Sequence, residues 1–121
     1  MKLIELFSST DNKSYFREHE IDLATSHPLG HYSKKYPVEN LMFREFEPGL
    51  VFEWHTAPQK QFILYLAGSV EIEASSGEKR FFSTGDALLV TDTAGAGHVT
   101  KTLSAGRSVI VTYAQETETS V

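Results

Sequence analysis

The stretch that decides the fold runs from Gly49 to His98 and opens with GLVFEWHTAPQKQFILYLAG, residues 49–68. Apolar, aromatic and β-branched residues fill it in short runs, and turn-forming residues separate these runs roughly every eight to twelve positions. Its dominant period is two, because no segment keeps apolar residues at helical spacing over several turns. The sequence therefore predicts antiparallel strands in a sandwich or a barrel.

The same pattern extends outward over the whole chain. It predicts strands near residues 3–7, 41–47, 51–55, 61–66, 70–74, 79–82, 87–90, 98–103 and 108–114. Residues 8–39 are less regular: residues 15–23 are either a strand or a helical turn, and residues 26–30 form a turn or loop. We therefore expect a single domain over residues 1–121, with an irregular arm and strand in 1–39 and the barrel core in 40–114.

The composition of the chain excludes several kinds of site and partner, and it indicates where in the cell the protein is expected. The 121 residues include no cysteine, which excludes disulfides, thiolate metal sites and cysteine nucleophiles. The net charge of -5 and the scattered basic residues argue against a nucleic-acid binder. No apolar run approaches the roughly 20 residues that span a bilayer, and residues 1–10 do not resemble a signal peptide. We expect a cytoplasmic protein that binds neither nucleic acid nor membrane.

Two histidines in the deciding stretch are candidates for chemistry. Residues two apart in a strand share a face, so we expect His55 to point with Glu53 and Ala57, and Phe52 and Trp54 to point the opposite way.

The following strand and the glycine-rich loop at residues 95–97 supply further candidates. Gln61 begins the strand after the turn at Pro58, shares a face with Tyr65, and can come close to His55. His98 begins another strand after the glycine-rich loop. Two imidazoles and one amide oxygen that converge inside a barrel form a three-point site for a divalent cation, with water or substrate in the other positions.

The deciding stretch resembles the two motifs of the cupin family. Gly49, His55 and Gly68 fall on the first motif, where Ala57 stands at the position of a second His and Gln61 at the position of a Glu. The segment GDALLVTDTAGAGH, residues 85–98, is similar to the second motif and ends at His98. The resemblance implies an all-β fold, the cupin-type double-stranded β-helix or jelly-roll barrel.

The resemblance also implies a divalent metal ion inside the barrel, one of Mn, Fe, Ni, Cu or Zn. The candidate ligands are His55, Gln61 and His98. Further candidates for the pocket are Glu53, Ala57, Tyr65 and Asp92. Two of these have a structural alternative, since Asp92 can shape the turn through backbone N–H groups and Tyr65 can pack in the core.

Three functions remain open at this point. The first is a metal-binding cupin whose interior site acts on or senses a small molecule; as an enzyme it would be a metal-dependent oxygenase or isomerase. The second is a metal-free pocket for a small ligand. The third is a dimeric structural or regulatory protein.

Edge strands with apolar residues on both faces, near 40–47 and 51–55, predict a homodimer.

Overall fold

The structure is a computed structural model, and it describes residues 1–114 and residue 121. Within these residues no helix is long and apolar enough to cross a membrane. This part of the chain is all-β and forms twelve strands. The strands are β1 (Lys2–Ser8), β2 (Ser14–Glu20), β3 (Thr25–His27), β4 (Gly30–Tyr32), β5 (Val38–Phe46), β6 (Val51–His55), β7 (Gln61–Ala67), β8 (Ser69–Ala74), β9 (Lys79–Ser83), β10 (Ala87–Val90), β11 (His98–Thr102) and β12 (Gly106–Tyr113).

Two sheets form the walls of the barrel. The larger sheet has six strands in the order β2-β1-β10-β7-β12-β5, and the smaller has four in the order β6-β11-β8-β9. Strands β3 and β4 form a separate hairpin. The first strand pairs with β10 in parallel, and the neighbouring β7 and β2 pair antiparallel to β10 and β1. The predicted all-β architecture is therefore confirmed.

The core lies between the sheets because each turns one apolar face inward. On β8, for example, alternate residues are buried and the residues between them are half-buried. The buried side chains of this core are Ile4, Leu6, Phe16, Phe46, Ala57, Ile63, Tyr65, Val70, Ile72, Ala74, Phe82, Leu88 and Val90. A smaller cluster, formed by Leu3, Ile21, Leu89 and Tyr113, includes residues that alternate with core residues on β1 and β10, so it covers the other face of the larger sheet.

The strands predicted at 51–55 and 87–90 have the bounds observed for β6 and β10, and the other predicted bounds differ by at most three residues.

The N-terminal segment is more regular than the sequence suggests. Of the two alternatives for residues 15–23, the strand is right: β2 pairs with β1 from Ser14 to Glu20. Residues 28–29 form the expected turn, and the short strands β3 and β4 flank it.

Strands β5 and β6 lie at the edges of their sheets and expose many apolar side chains. Phe43 on β5 is 80% exposed and Phe52 on β6 is 63% exposed. The other exposed apolar residues of these two strands are Val38, Leu41, Met42, Val51 and Trp54. The homodimer expected from this pattern stays a prediction.

Candidate functional site

A cavity of about 570 Å³ lies between the two sheets. Most of its wall is apolar, with isoleucines contributed by β7, β8 and β12 at Ile63, Ile72 and Ile110. The polar lining residues come from both sheets. They include Arg44, His55, Gln61, Tyr65, His98 and Thr100.

The structure brings the two motif histidines together at one wall of this cavity. His55 ends β6 and His98 begins β11, and the two are paired directly across the smaller sheet. Their ring centroids are 4.3 Å apart, with the planes tilted by 57°. The sequence prediction that these side chains converge in the interior is therefore confirmed by their positions, whereas their role stays a prediction.

A β-bulge decides which neighbour of His55 faces the cavity. His98 pairs with His55 and Thr100 pairs with Phe52, so two steps along β11 correspond to three along β6. The extra residue shifts the alternation, and Phe52 stacks on His55 with centroids 3.5 Å apart and planes at 8°. The expectation that Phe52 points away from His55 is wrong for this reason. Glu53 has an exposed side chain and contributes its backbone carbonyl to His55.

The side chain of Asp92 contacts His98, the second of the two motif histidines. One carboxylate oxygen of Asp92 lies 2.5 Å from Nδ1 of His98, and Asp92 is 0% exposed. Its other carboxylate oxygen has no partner among the described residues. The backbone carbonyl of Asp92 accepts a hydrogen bond from the amide of Ala57. The Asp92 side chain therefore orients His98, beyond any part that the residue plays in shaping the turn.

The hydrogen bonds also fix which ring nitrogen is available. Nδ1 of His55 lies 2.7 Å from the carbonyl oxygen of Glu53, which only accepts, so Nδ1 carries the proton. Nδ1 of His98 donates in the same way to the carboxylate of Asp92. Burial lowers the pKa of His55 below its ordinary value. In the neutral imidazoles both Nε2 atoms are therefore hydrogen-bond acceptors.

The glycine-rich loop before His98 packs closely against its surroundings. Gly97 has a φ of +75°, and a Cβ there would lie 2.0 Å from the backbone oxygen of His55. Ser14, at the start of β2, donates its hydroxyl to the Gly97 carbonyl at 2.7 Å. The loop therefore needs glycine for close backbone packing, and the N-terminal segment helps to hold the loop that carries His98.

The remaining predicted residues also line the cavity. Gln61 and Tyr65 line it from β7, and Ala57 lines it just after β6. Tyr65 is 2% exposed, its ring stacks on Phe82, and its hydroxyl has no partner within the described part of the chain. Tyr65 therefore belongs to the core and to the cavity wall at once.

Sequence reasoning missed Arg44. The adjacent Arg44 and Glu45 in an otherwise apolar strand predict a pair of charged side chains at the surface. In the structure Arg44 lines the cavity, and its Nε donates to the hydroxyl of Ser108 at 2.9 Å. The alternation on β5 was the available signal, because Met42, Arg44 and Phe46 share a face and all three line the cavity.

Comparison with known proteins gives likeness of structure only. No protein-family model and no curated protein matches the chain. A protein of unknown function from Rhizobium leguminosarum is 17% identical, with a TM-score of 0.50 over 60% of this chain and 67% of that one. A protein from Neisseria meningitidis is 16% identical, with a TM-score of 0.50 over 67% of this chain and 88% of that one. A cupin-2 domain protein from Shewanella frigidimarina is 13% identical, with a TM-score of 0.49 over 61% of this chain and 69% of that one.

The two motif segments meet inside a barrel of two facing sheets, with His55 and His98 side by side on the cavity wall. The chain has the cupin fold. The fold class implied by the motifs is therefore confirmed. Because likenesses at this level of identity concern architecture alone, the function of this chain has to be argued from its own site.

The site only partly matches what a metal ion needs. A metal–nitrogen distance is about 2.1 Å, so two imidazoles on one ion have centroids roughly 4–5 Å apart, and the observed 4.3 Å agrees with that. However, the described residues contain no group of three or more His, Asp or Glu side chains placed to hold a metal ion. With Gln61 as the third donor, the set is uncharged. These residues do not fit a permanently bound divalent ion.

Proposed function

We propose that this cupin binds a small, mainly apolar molecule in the barrel cavity and that His55 and His98 accept hydrogen bonds from a polar group of that molecule. The observation that carries the proposal is the cavity itself. Its volume of about 570 Å³ lies within the range of small-molecule sites, roughly 300–1,000 Å³. Its wall is mostly apolar, and a few polar groups converge on it, as is typical of such sites.

The histidine pair gives the cavity a defined polar end. Both Nε2 atoms are acceptors in the neutral rings, and Asp92 keeps His98 in that tautomer. An O–H or N–H group of a ligand can therefore donate to either ring. Phe52 covers one face of His55 and limits the access of water to that ring.

A metal ion held by His55, Gln61 and His98 is the second candidate. Two observations favour it: the 4.3 Å separation of the two rings, and the carboxylate behind His98, which is the usual partner of a metal-bound imidazole. Imidazole suits Mn, Fe, Ni, Cu and Zn. The lack of an anionic ligand beside the pair places this candidate second.

Elemental analysis separates the two candidates. The purified, untagged protein is analysed for Mn, Fe, Ni, Cu and Zn beside the variants His55→Ala and His98→Ala. We expect far less than one metal ion per chain in all three proteins, before and after incubation with each ion and gel filtration. One ion per wild-type chain, lost in both variants, would establish the second candidate instead.

A binding experiment tests the cavity directly. Thermal unfolding of the metal-free protein is measured in EDTA with phenylacetate, phenylacetamide, hexanoate and hexanamide as probes. We expect a saturable rise in Tm with at least one probe, because a ligand that binds only the folded state stabilises it. Ile110→Phe fills the cavity and should remove the rise, whereas Val111→Phe on the neighbouring residue of β12, outside this cavity, should keep it. No rise with any probe would contradict the proposal and favour a structural or regulatory role.

A further inference from the structure

A row of three polar residues crosses the inner face of the larger sheet. Ser108 on β12 is paired with Arg44 on β5 on one side and with Tyr65 on β7 on the other. Arg44 and Tyr65 both line the cavity. The row is otherwise flanked by apolar side chains, since Ile63 on β7 and Ile110 on β12 line the same wall.

Two hydrogen-bond donors in this row lack a partner. The Nη2 atom of Arg44 and the hydroxyl of Tyr65 are both buried and make no hydrogen bond of good geometry within the described residues, although the Arg44 side chain is close enough to Tyr65 to lower the pKa of its hydroxyl. The Nε of Arg44 donates its hydrogen bond to the hydroxyl of Ser108. Glu45 is the one carboxylate among the described lining residues, and it does not lie within ion-pair distance of Arg44. Buried donors without an acceptor are uncommon in native proteins, so each of them calls for a partner that the protein itself does not supply.

The charge of the row selects the kind of partner. Arg44 is positively charged at all relevant pH values. Burial raises the pKa of Tyr65 to about 12, with the nearby Arg44 opposing this rise only in part, so the hydroxyl stays protonated at neutral pH. The row therefore presents one positive charge and two donors to the cavity. This combination is complementary to a singly charged acceptor and is too weak in charge for a phosphate dianion.

We propose that Arg44 and Tyr65 bind the carboxylate of the cavity ligand, which makes that ligand a small carboxylic acid with an apolar body and with the O–H or N–H group that donates to His55 and His98. This inference rests on the proposed binding function and names its ligand class. A guanidinium is suited to carboxylates because its planar N–H groups match the two oxygens. Tyr65 lies four residues beyond Gln61 on β7, about 13 Å along the strand. The ligand thus has room for an apolar body between the carboxylate and the Gln61 end of the cavity.

Matched acids and amides test this assignment, because they differ in charge and little in shape. Phenylacetate against phenylacetamide and hexanoate against hexanamide are titrated by calorimetry into wild-type protein and into Arg44→Gln and Tyr65→Phe. We expect each acid to bind wild type at least tenfold more tightly than its amide. Arg44→Gln should abolish this preference, and Tyr65→Phe should reduce it severalfold. The control is Arg107→Gln, an exposed arginine on the same strand as Ser108, which should keep the full preference.

The possible outcomes separate this inference from the binding function. If the amides bind as tightly as the acids, or if Arg44→Gln keeps the preference, the carboxylate assignment is overturned and the binding function stands. If neither acids nor amides bind, both fail. Arg44→Lys is the second variant, in case Arg44→Gln does not fold; it keeps the charge, loses the planar fork, and should show a reduced but measurable preference for the acid.

Discussion

The carboxylate of Asp92 lies 2.5 Å from Nδ1 of His98; both side chains are buried, and only His98 lines the cavity. A buried carboxylate in this position does two things. It satisfies the ring N–H, and it leaves Nε2 of His98 as the nitrogen that faces a ligand. The same arrangement serves metal-bound and catalytic histidines, so it marks His98 as the most strongly positioned side chain of the site.

Removing the Asp92 carboxylate should separate its structural part from its effect on the ring. In Asp92→Ala the N–H of His98 loses a buried acceptor, which should lower the free energy of unfolding by about 1–3 kcal/mol. Asp92→Asn retains an amide oxygen that can accept the same bond and should cost less than half as much. Urea denaturation gives the stabilities, and ¹⁵N NMR of the His98 ring gives the tautomer. Equal stability of the two variants, with an unchanged ring spectrum, would refute the positioning role.

The contact of Gly97 with His55 predicts an unusually sensitive position. Gly97→Ala would place a Cβ 2.0 Å from the His55 carbonyl oxygen at a φ of +75°. Gly77→Ala is the matched control, because Gly77 has a φ of +98° and open space around its Cβ position. Both variants should lose about 1–3 kcal/mol from the backbone conformation. Gly97→Ala should lose a further ~1–3 kcal/mol from overpacking, and thermal or urea unfolding would show this difference. Equal losses would mean that the loop moves freely away from His55.

The sequence predicted the strands and the meeting of His55 with His98 because both depend on local period and on turn residues. It could not predict the bulge in β6, since one extra residue changes the parity of a strand without any signal in the local pattern. Phe52 was therefore placed on the wrong face. Strand β2 was ambiguous for a related reason: three of the seven residues of Ser14–Glu20 are exposed and two are half-buried, so its apolar alternation is weak.

Arg44 and Asp92 show a different limit of sequence reasoning. Each is a charged residue in a segment that reads as an edge strand or a turn, where exposure is the ordinary outcome. Their function in the cavity depends on pairings across the sheets, which join residues far apart in the chain: Arg44 meets Ser108 through β12, and Asp92 meets His98 across the glycine-rich loop. Such contacts follow from register and closure of the barrel and not from local composition.

A second buried carboxylate predicts how stability depends on pH. Glu5 accepts hydrogen bonds from Arg17, His19 and Thr91. Burial raises the pKa of Glu5, but these bonds outweigh it, so the pKa lies below its ordinary 4.5. A lowered pKa means that the ionised form stabilises the fold above about pH 4.5 and that this contribution is lost as the pH falls through the lowered value.

Glu5→Gln should therefore be less stable than wild type by about 2 kcal/mol at pH 7, with the difference shrinking toward zero in acid. Urea denaturation from pH 3 to pH 8 measures this. Asp22→Asn, an exposed carboxyl in the described chain, should show no comparable pH-dependent difference. A Glu5→Gln difference that stays constant at all pH values would contradict the assignment.

The exposed edge of β5 predicts the homodimer expected from sequence. Phe43 is 80% exposed on a strand whose outer backbone groups are unpaired, a combination that favours association. We expect light scattering to give the mass of a dimer for the wild type and of a monomer for Phe43→Glu. Phe81→Glu, on the edge strand β9 of the other sheet, should remain dimeric. A wild-type protein that is monomeric at micromolar concentration would contradict the predicted homodimer.

Ala57 and Gln61 stand where the family's motif has His and Glu. Restoring these two residues should raise the affinity of the cavity for a metal ion. Ala57 and Gln61 both line the cavity, beside His55 and His98. The double variant Ala57→His/Gln61→Glu would add one imidazole and one negative charge, which gives the three His and one Glu of the motif. Since even the loss of an outer partner changes metal affinity by about 10–100-fold, two new ligands should tighten Ni²⁺ binding by at least roughly 100-fold. Calorimetry with Ni²⁺ measures this, and adding His98→Ala to the double variant should reverse it. If the double variant binds Ni²⁺ no better than wild type, the four positions do not converge on one point, and the metal candidate loses its geometric support.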